Sequence, residues 1–151
     1  MEIHEVILSI GSNLGDRFKN IDQSVGILQK DARIELVEVS SYLENEAIGF
    51  ESNHLFINVC VLIKTSIPPF DLLTLLKSIE KEIGRSYSKN GYEDRLIDMD
   101  IIFYSDFEIS TDTLTIPHRK FRERDFVIFP LNEILKSTSF SFSNYIKQNL
   151  G

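Results

Sequence analysis

The sequence contains only one cysteine, Cys60, and that residue lies inside an apolar run. One cysteine excludes a disulfide bond within the chain and argues against a zinc site built on cysteines. The apolar surroundings favour a buried structural thiol. No apolar stretch approaches the roughly 20 residues that cross a bilayer, and the N-terminus lacks the basic region and apolar core of a signal peptide. We therefore expect a cytoplasmic protein that does not insert into a membrane.

Positive charge is also scarce, with 16 lysines and arginines against 23 aspartates and glutamates, a formal net charge of −7. This balance argues against nucleic acid as a partner, because such proteins present a basic surface. Four basic residues nevertheless lie within six positions: Arg119, Lys120, Arg122 and Arg124. Such a run is usually a solvated face, but it also suits a polyphosphate approached through a metal ion.

Two common phosphate-binding motifs are absent, since neither G-x-x-x-x-G-K-[ST] nor G-x-G-x-x-G occurs. The sequence also lacks internal repeats and low-complexity segments. With 151 residues, 42% hydrophobic and 26% charged, it is typical of a soluble globular protein. We expect a single domain over residues 1–151.

The most informative stretch is residues 95–104, an apolar, β-branched run that carries Asp98 and Asp100. Read as a strand, it places both carboxylates on one face, with Cα atoms roughly 7 Å apart. Aspartate is depleted in strands and is rarely buried without a partner. Mg²⁺ would supply the reason, because it uses one or two protein carboxylates together with water and substrate phosphate. From these residues alone, an edge strand with an acidic face is an equally good interpretation.

The pattern of the chain through residue 104 predicts the order β-α-β-β-α-β. This order predicts an α+β fold with a ferredoxin-like core, an antiparallel sheet with both helices on one face. The crossover rule would place the first and fourth strands side by side, or nearly so, in the middle of that sheet. A hairpin and helices are expected to follow. The predicted strands cover residues 3–10, 33–42, 55–64 and 95–104, the helices 16–30, 69–83 and 126–135, the loops 44–54 and 85–94, and the hairpin 106–116, with a short helical piece at the end.

Four motifs, in this order, resemble the 6-hydroxymethyl-7,8-dihydropterin pyrophosphokinases of folate biosynthesis, and the resemblance covers about residues 3–135. The motifs are Gly11-Ser12-Asn13-Leu14-Gly15, Glu80-x-x-x-Gly84-Arg85, Arg95-x-x-Asp98-x-Asp100, and Leu114-x-x-Pro117-His118 followed by Arg124-x-Phe126.

The resemblance implies an enzyme that transfers the β,γ-diphosphate of ATP to the hydroxymethyl oxygen of the pterin and releases AMP. It implies two Mg²⁺ ions on Asp98 and Asp100, which act as catalytic residues with Arg85 and Arg95. His118 and Arg124 are implied to bind ATP together with the two arginines at residues 85 and 95. Whether Arg119, Lys120 or Arg122 also contacts phosphate stays open.

The resemblance also implies a pterin pocket. Phe56 and Phe126 match two aromatic residues that sandwich the ring, and Asn58 matches an amide that binds its edge. Asn45 begins a stretch that reads the ring through its backbone, with Ile48 as an apolar wall. Without the resemblance, Phe56 and Phe126 would be interpreted as core residues and Asn58 as a cap on a neighbouring backbone group.

The expected partners are therefore two small molecules, ATP and the pterin, bound by a monomer. Two alternatives remain at this stage. One is another Mg²⁺-dependent phosphoryl or nucleotidyl transferase on the same scaffold, and the other is a ligand-binding module without catalysis.

Overall fold

The computed structural model describes residues 2–45, 55–84 and 96–150. The predicted hairpin and C-terminal helices are present. The strands are β1 (His4–Ser12), β2 (Ile34–Val39), β3 (Leu43–Asn45), β4 (Phe56–Thr65), β5 (Asp98–Tyr104), β6 (Ile109–Ser110) and β7 (Thr115–Ile116). The helices are α1 (Arg17–Lys30), α2 (Pro69–Ile83), α3 (Asp125–Ser137) and α4 (Ser143–Leu150), with a 3-10 turn at Phe121–Glu123.

The main sheet has the strand order β2-β4-β1-β5, and every pair in it is antiparallel. With the order of helices and strands along the chain, this arrangement confirms the ferredoxin-like α+β prediction. β1 and β5 are neighbours, as expected, but the prediction that both lie in the middle was wrong. β5 ends the row of described strands, because the crossover through α2 carries the chain from β4 past β1 to its far side.

The predicted loop 44–54 is wrong at its start, because its first two residues belong to a strand. Leu43–Asn45 form the short strand β3, which pairs with Phe56–Asn58 of β4, while β2 pairs with Val61–Thr65 of the same strand. The predicted strand 33–42 therefore corresponds to β2 alone, which ends at Val39, and β3 is a further strand that was not predicted. Between β2 and β3, the Ser40 hydroxyl accepts a hydrogen bond of 2.9 Å from the Cys60 N–H. A polar segment can join a sheet because the pairing uses backbone groups rather than apolar side chains.

Both faces of the sheet are covered by the chain's own helices. On the first face, Val6, Leu8 and Ile10 of β1 pack in a core with α1 and α2. On the second face, Ile7 and Cys60 pack in a core with α3 and α4. Cys60 is buried, as predicted, and this burial raises the pKa of its thiol. Within the described ranges, no helix is long and apolar enough to cross a membrane.

Candidate active site

The aspartates of β5 lie on the second face of the sheet. Their neighbours Met99 and Ile101 are buried in the core of the first face, whereas Asp98 and Asp100 are only half-buried. In the pairing with β1, Asp98 lies opposite Gly11 and Asp100 opposite Ser9. The predicted alternation along this strand is therefore present, and the β1 partner of Asp98 comes from the glycine motif that ends β1.

An irregularity in β5 brings His118 to the same region. Ile7 of β1 pairs with Phe103 but Leu8 pairs with Ile101, so Ile102 is an extra residue in β5. A bulge of this kind removes a residue from the regular ladder. The Ile102 carbonyl accepts a hydrogen bond of 2.9 Å from the backbone N–H of His118. The bulge thus anchors the segment that follows β7 onto the strand that carries the aspartates.

The imidazole of His118 is neutral at pH 7. Burial, together with the nearby charge of Arg124, lowers its pKa to about 4, although Asp98 acts in the opposite direction. Its Nδ1 accepts a hydrogen bond of 3.1 Å from the Lys120 N–H. Since one nitrogen accepts, the hydrogen of the neutral ring lies on Nε2. His118 is thus a neutral hydrogen-bond donor beside Asp98, a group that suits an anionic oxygen.

We expect the His118 ring protons of the metal-free protein to show no titration midpoint between pH 5 and 8, as measured by NMR. The unfolded chain takes up a proton near pH 6.5 and the folded chain near pH 4, so this group makes the folded state more stable as pH rises between those values. Comparison with His118→Gln assigns the signal. A midpoint near 6.5 would contradict the buried, neutral ring.

Two residues of the basic cluster have different surroundings. The Arg124 guanidinium lies 5.6 Å from the centre of the Phe126 ring, between the histidine and the start of α3. Arg122 instead stacks on Phe121 at 4.6 Å and donates hydrogen bonds to the backbone and side-chain oxygens of Asn149. Arg122 therefore holds α4, whereas the charge of Arg124 lies near His118.

Asn58 is a buried amide at the centre of the same face, 3% exposed. Its Nδ2 donates a hydrogen bond to Asn45 Oδ1, which ties β4 to β3. Its Oδ1 points at Gly11, where an added Cβ would overlap that oxygen and would lie 3.5 Å from Phe56 Cδ1. The Asn58 amide therefore fits against β1 only because Gly11 has no side chain.

Phe56 and Phe126 are each half-buried, unlike the core residues Phe103 and Phe121, which are 1% and 0% exposed. Phe126 packs at the margin of the core on the second face. The start of α3 is held near β4, since the Val127 carbonyl accepts a hydrogen bond of 3.5 Å from the Cys60 thiol. Phe126 therefore lies in the first turn of a helix that contacts β4 at Cys60, two residues after Asn58.

Three predicted site residues, Ile48, Arg85 and Arg95, lie outside the described residues. Conversely, Arg17 had no predicted role, and its Nη1 donates to the Leu55 carbonyl at 2.8 Å and to the Glu44 carboxylate at 3.2 Å. Nothing in the local pattern around Arg17 indicates these distant partners. Gly11 and Glu80 also lacked a predicted role, although both belong to the quoted motifs.

The aspartate pair suits a metal ion that is bound jointly with a substrate. Within residues 2–45, 55–84 and 96–150, no group of three or more His, Cys, Asp and Glu side chains is arranged to hold a metal ion. A closed transition-metal site would need such a group. Two carboxylates on one half-buried face fit Mg²⁺ instead, because Mg²⁺ completes its shell with water and phosphate oxygens.

Comparison with known proteins identifies the class of this domain. The family model of 7,8-dihydro-6-hydroxymethylpterin-pyrophosphokinase matches residues 7–136. The chain is 39% identical to the 2-amino-4-hydroxy-6-hydroxymethyldihydropteridine pyrophosphokinase of Bacillus subtilis over 127 residues, which cover 84% of this chain and 75% of the relative. It is also 39% identical to the Porphyromonas gingivalis enzyme of the same name over 132 residues, 85% of this chain and 89% of the relative.

A solved structure shows the same fold. The Plasmodium falciparum HPPK-DHPS A437G structure with SDX-DHP superimposes with a TM-score of 0.68 at 14% identity. The match covers 98% of this chain and 45% of that longer one.

The chain therefore belongs to the 7,8-dihydro-6-hydroxymethylpterin-pyrophosphokinase family. It catalyses pyrophosphoryl transfer from ATP to hydroxymethyldihydropterin, a reaction of folate biosynthesis. The first of the three interpretations drawn from the sequence is confirmed.

Proposed function

We propose that Asp98 and Asp100 hold two Mg²⁺ ions together with the triphosphate of ATP. The observation that carries this assignment is the pair of half-buried carboxylates on the face where His118, Arg124 and Asn58 also lie. When bound, Mg²⁺ neutralises charge on the transferred group and lowers the pKa of the attacking hydroxyl. Positioning and charge neutralisation supply most of the acceleration in phosphoryl transfer, so these carboxylates act by fixing the ions.

The phosphates are bound by His118 and Arg124 on this proposal. His118 contributes a hydrogen bond from Nε2–H and Arg124 contributes a permanent positive charge, so the two supply different interactions to the same anion. Burial, together with the charge of Arg124, lowers the pKa of His118 and keeps its ring neutral. Arg85 and Arg95 are assigned to phosphate binding and catalysis by resemblance to the family.

The pterin lies between Phe56 and Phe126 and is bound at its edge by Asn58. One N–H of Asn58 Nδ2 is donated to Asn45, which orients the amide, and the Asn58 Oδ1 is the atom that can accept from a ring N–H. Asn45 thus orients the amide that reads the ring. Ile48 is assigned to the wall of this pocket by resemblance.

Incubation with ATP and Mg²⁺, with and without 6-hydroxymethyl-7,8-dihydropterin, tests these roles together. We expect AMP to form only when the pterin is present, and the pterin to gain the mass of a diphosphate. The amount of AMP should rise with Mg²⁺ concentration. Release of ADP, or turnover that continues after chelation of Mg²⁺, would contradict the proposal.

Replacing Phe126 by alanine should weaken pterin binding by about 1–3 kcal/mol, the range found when aromatic rings that stack on nucleic-acid bases are removed. Isothermal titration with pterin and a non-hydrolysable ATP analogue measures the effect. Phe129→Ala is the matched control, because Phe129 lies on the same helix but is 60% exposed. Equal affinities in the two variants would return Phe126 to a packing role.

We also propose that the chain acts as a single domain and as a monomer in the cytoplasm, where ATP is available. The support for a monomer is that its own helices cover both faces of the main sheet. Sedimentation velocity at the enzyme concentrations of the assay should give one species of about 17.4 kDa. A stable dimer at those concentrations would contradict the proposal.

A further inference from the structure

A buried carboxylate holds the backbone between the two aspartates. Glu80 lies in α2 and is 1% exposed. Its Oε2 accepts a hydrogen bond of 2.8 Å from the N–H of Met99. Met99 is the residue between Asp98 and Asp100, and its own side chain is buried in the core of the first face.

The C-terminal end of α2 makes a second contact with this part of the chain. Gly84, with φ of 106°, ends the helix, and a Cβ there would lie 3.3 Å from Leu96 Cδ1. Gly15, with φ of 68°, approaches the other methyl group of Leu96, where a Cβ would lie 3.2 Å from Cδ2. Leu96 is thus seated between two glycines, two residues before Asp98. Glu80 and this contact restrain the start of β5 at two successive points.

We propose that Glu80 is a positioning residue for the metal ligands. By accepting a hydrogen bond from the Met99 N–H, Glu80 fixes the backbone between Asp98 and Asp100. The two carboxylates thereby keep a constant spacing and orientation. The proposal rests on the metal role proposed above for those aspartates. Among the described strands β5 pairs with β1, and the Glu80 carboxylate adds a restraint from α2 at the Met99 N–H.

The chain contains a matched control for a merely structural effect. Glu5 is also a buried glutamate, 8% exposed, and its carboxylate accepts hydrogen bonds of 3.1 Å from the N–H groups of Ser141 and Phe142. It lies six residues from Gly11 along β1, which corresponds to roughly 20 Å in a strand. Loss of Glu5 should therefore cost stability without disturbing the aspartates.

The decisive measurement is binding of Mn²⁺, a paramagnetic substitute for Mg²⁺, by electron paramagnetic resonance in the presence of a non-hydrolysable ATP analogue. We expect Glu80→Ala to weaken Mn²⁺ binding 10- to 100-fold, the usual effect of removing a group that orients a metal ligand. Glu80→Gln keeps an oxygen acceptor and should stay within about threefold of wild type. Glu5→Ala should bind Mn²⁺ as the wild type does, and urea unfolding confirms that each variant is folded.

Amide hydrogen exchange supplies a readout that does not depend on the metal. Exchange at Met99 should accelerate in Glu80→Ala relative to Glu80→Gln, since only the alanine variant removes the acceptor. If Glu80→Ala does not fold, Glu80→Asp replaces it, because the shorter carboxylate keeps the charge but cannot reach Met99. Weaker Mn²⁺ binding in Glu80→Asp than in Glu80→Gln supports the proposal, and the reverse order overturns it.

Two results would separate this inference from the proposed function. If folded Glu80→Ala binds Mn²⁺ as tightly as wild type, while Asp98→Asn does not bind it, the positioning role alone is wrong. If wild type itself binds no Mn²⁺ with the analogue, the metal assignment fails and this inference fails with it. Equal losses of Mn²⁺ affinity in Glu80→Ala and Glu5→Ala would mean that Glu80 contributes only to stability.

Discussion

Replacing Asp98 or Asp100 by asparagine should lower kcat by about a thousandfold with the fold retained. Asparagine keeps the size and one oxygen of each side chain but removes the charge that holds a divalent cation. A thousandfold loss corresponds to about 4 kcal/mol of activation free energy, the scale expected when a metal ion no longer stabilises transition-state charge. AMP release over a range of Mg²⁺ concentrations measures the effect.

Three controls accompany this experiment. Circular dichroism and thermal unfolding show whether each variant is folded. Asp106→Asn removes an exposed carboxylate just after β5 and should leave turnover unchanged. Mg²⁺ at high concentration should restore part of the activity of the site variants, whereas Asp106→Asn should need no more Mg²⁺ than wild type. Turnover within tenfold of wild type in either site variant would remove that aspartate from the metal site.

The aspartate strand could be predicted because its signal is local. A strand with one buried face forces its side chains to alternate, so the positions of Met99 and Ile101 in the core determine where Asp98 and Asp100 lie. The end of α2 was similarly readable, because glycine is the residue that most easily adopts the left-handed conformation seen at Gly84. Both features depend on residues that are neighbours in sequence.

Features that depend on distant partners could not be read in this way. Phe18 lies three residues before Ile21, which α1 buries, and the spacing alone would place both in the core. Phe18 is nevertheless 45% exposed, and its ring packs edge-on against Tyr42. The hydrogen bond from Met99 to Glu80 joins residues 19 positions apart. No periodicity indicates such a pair, because it arises only when α2 docks on β5.

The charge state of His118 is a further example. The resemblance implies that His118 binds phosphate, but it does not give the protonation state of the imidazole. Its neutrality follows from burial and from the position of Arg124 relative to the ring, and both are properties of the folded chain. The bulge at Ile102, which anchors the histidine backbone, depends on the register between β1 and β5 and is equally invisible in the sequence.

The second large effect is expected from Gly11→Ala, which should raise the Kd for the pterin at least tenfold. The new methyl group would overlap Asn58 Oδ1, and the amide has little room to move, being 3% exposed and bonded to Asn45. Either the strands separate or the amide rotates and loses its partner. The expected loss of unfolding free energy is about 1–3 kcal/mol, the usual range when a buried polar group loses its hydrogen bond.

A helical glycine supplies the matched control. A Cβ at Gly26 in α1 would meet nothing within 4 Å, so Gly26→Ala should leave pterin binding unchanged. It should also raise the unfolding free energy by about 0.5–1 kcal/mol, because alanine is the better helix former. Loss of pterin affinity in this variant would show that adding a methyl group anywhere perturbs the site.

The double variant Gly11→Ala, Asn58→Ala separates the two consequences of the clash. Removing the amide removes the overlap, so the stability of the double variant should return to that of Asn58→Ala alone, a non-additive result typical of residues in contact. Pterin affinity should stay low, because the group that reads the ring edge is gone. If Gly11→Ala binds pterin normally, the amide does not set affinity; if the double variant is less stable than Asn58→Ala alone, the clash lies elsewhere.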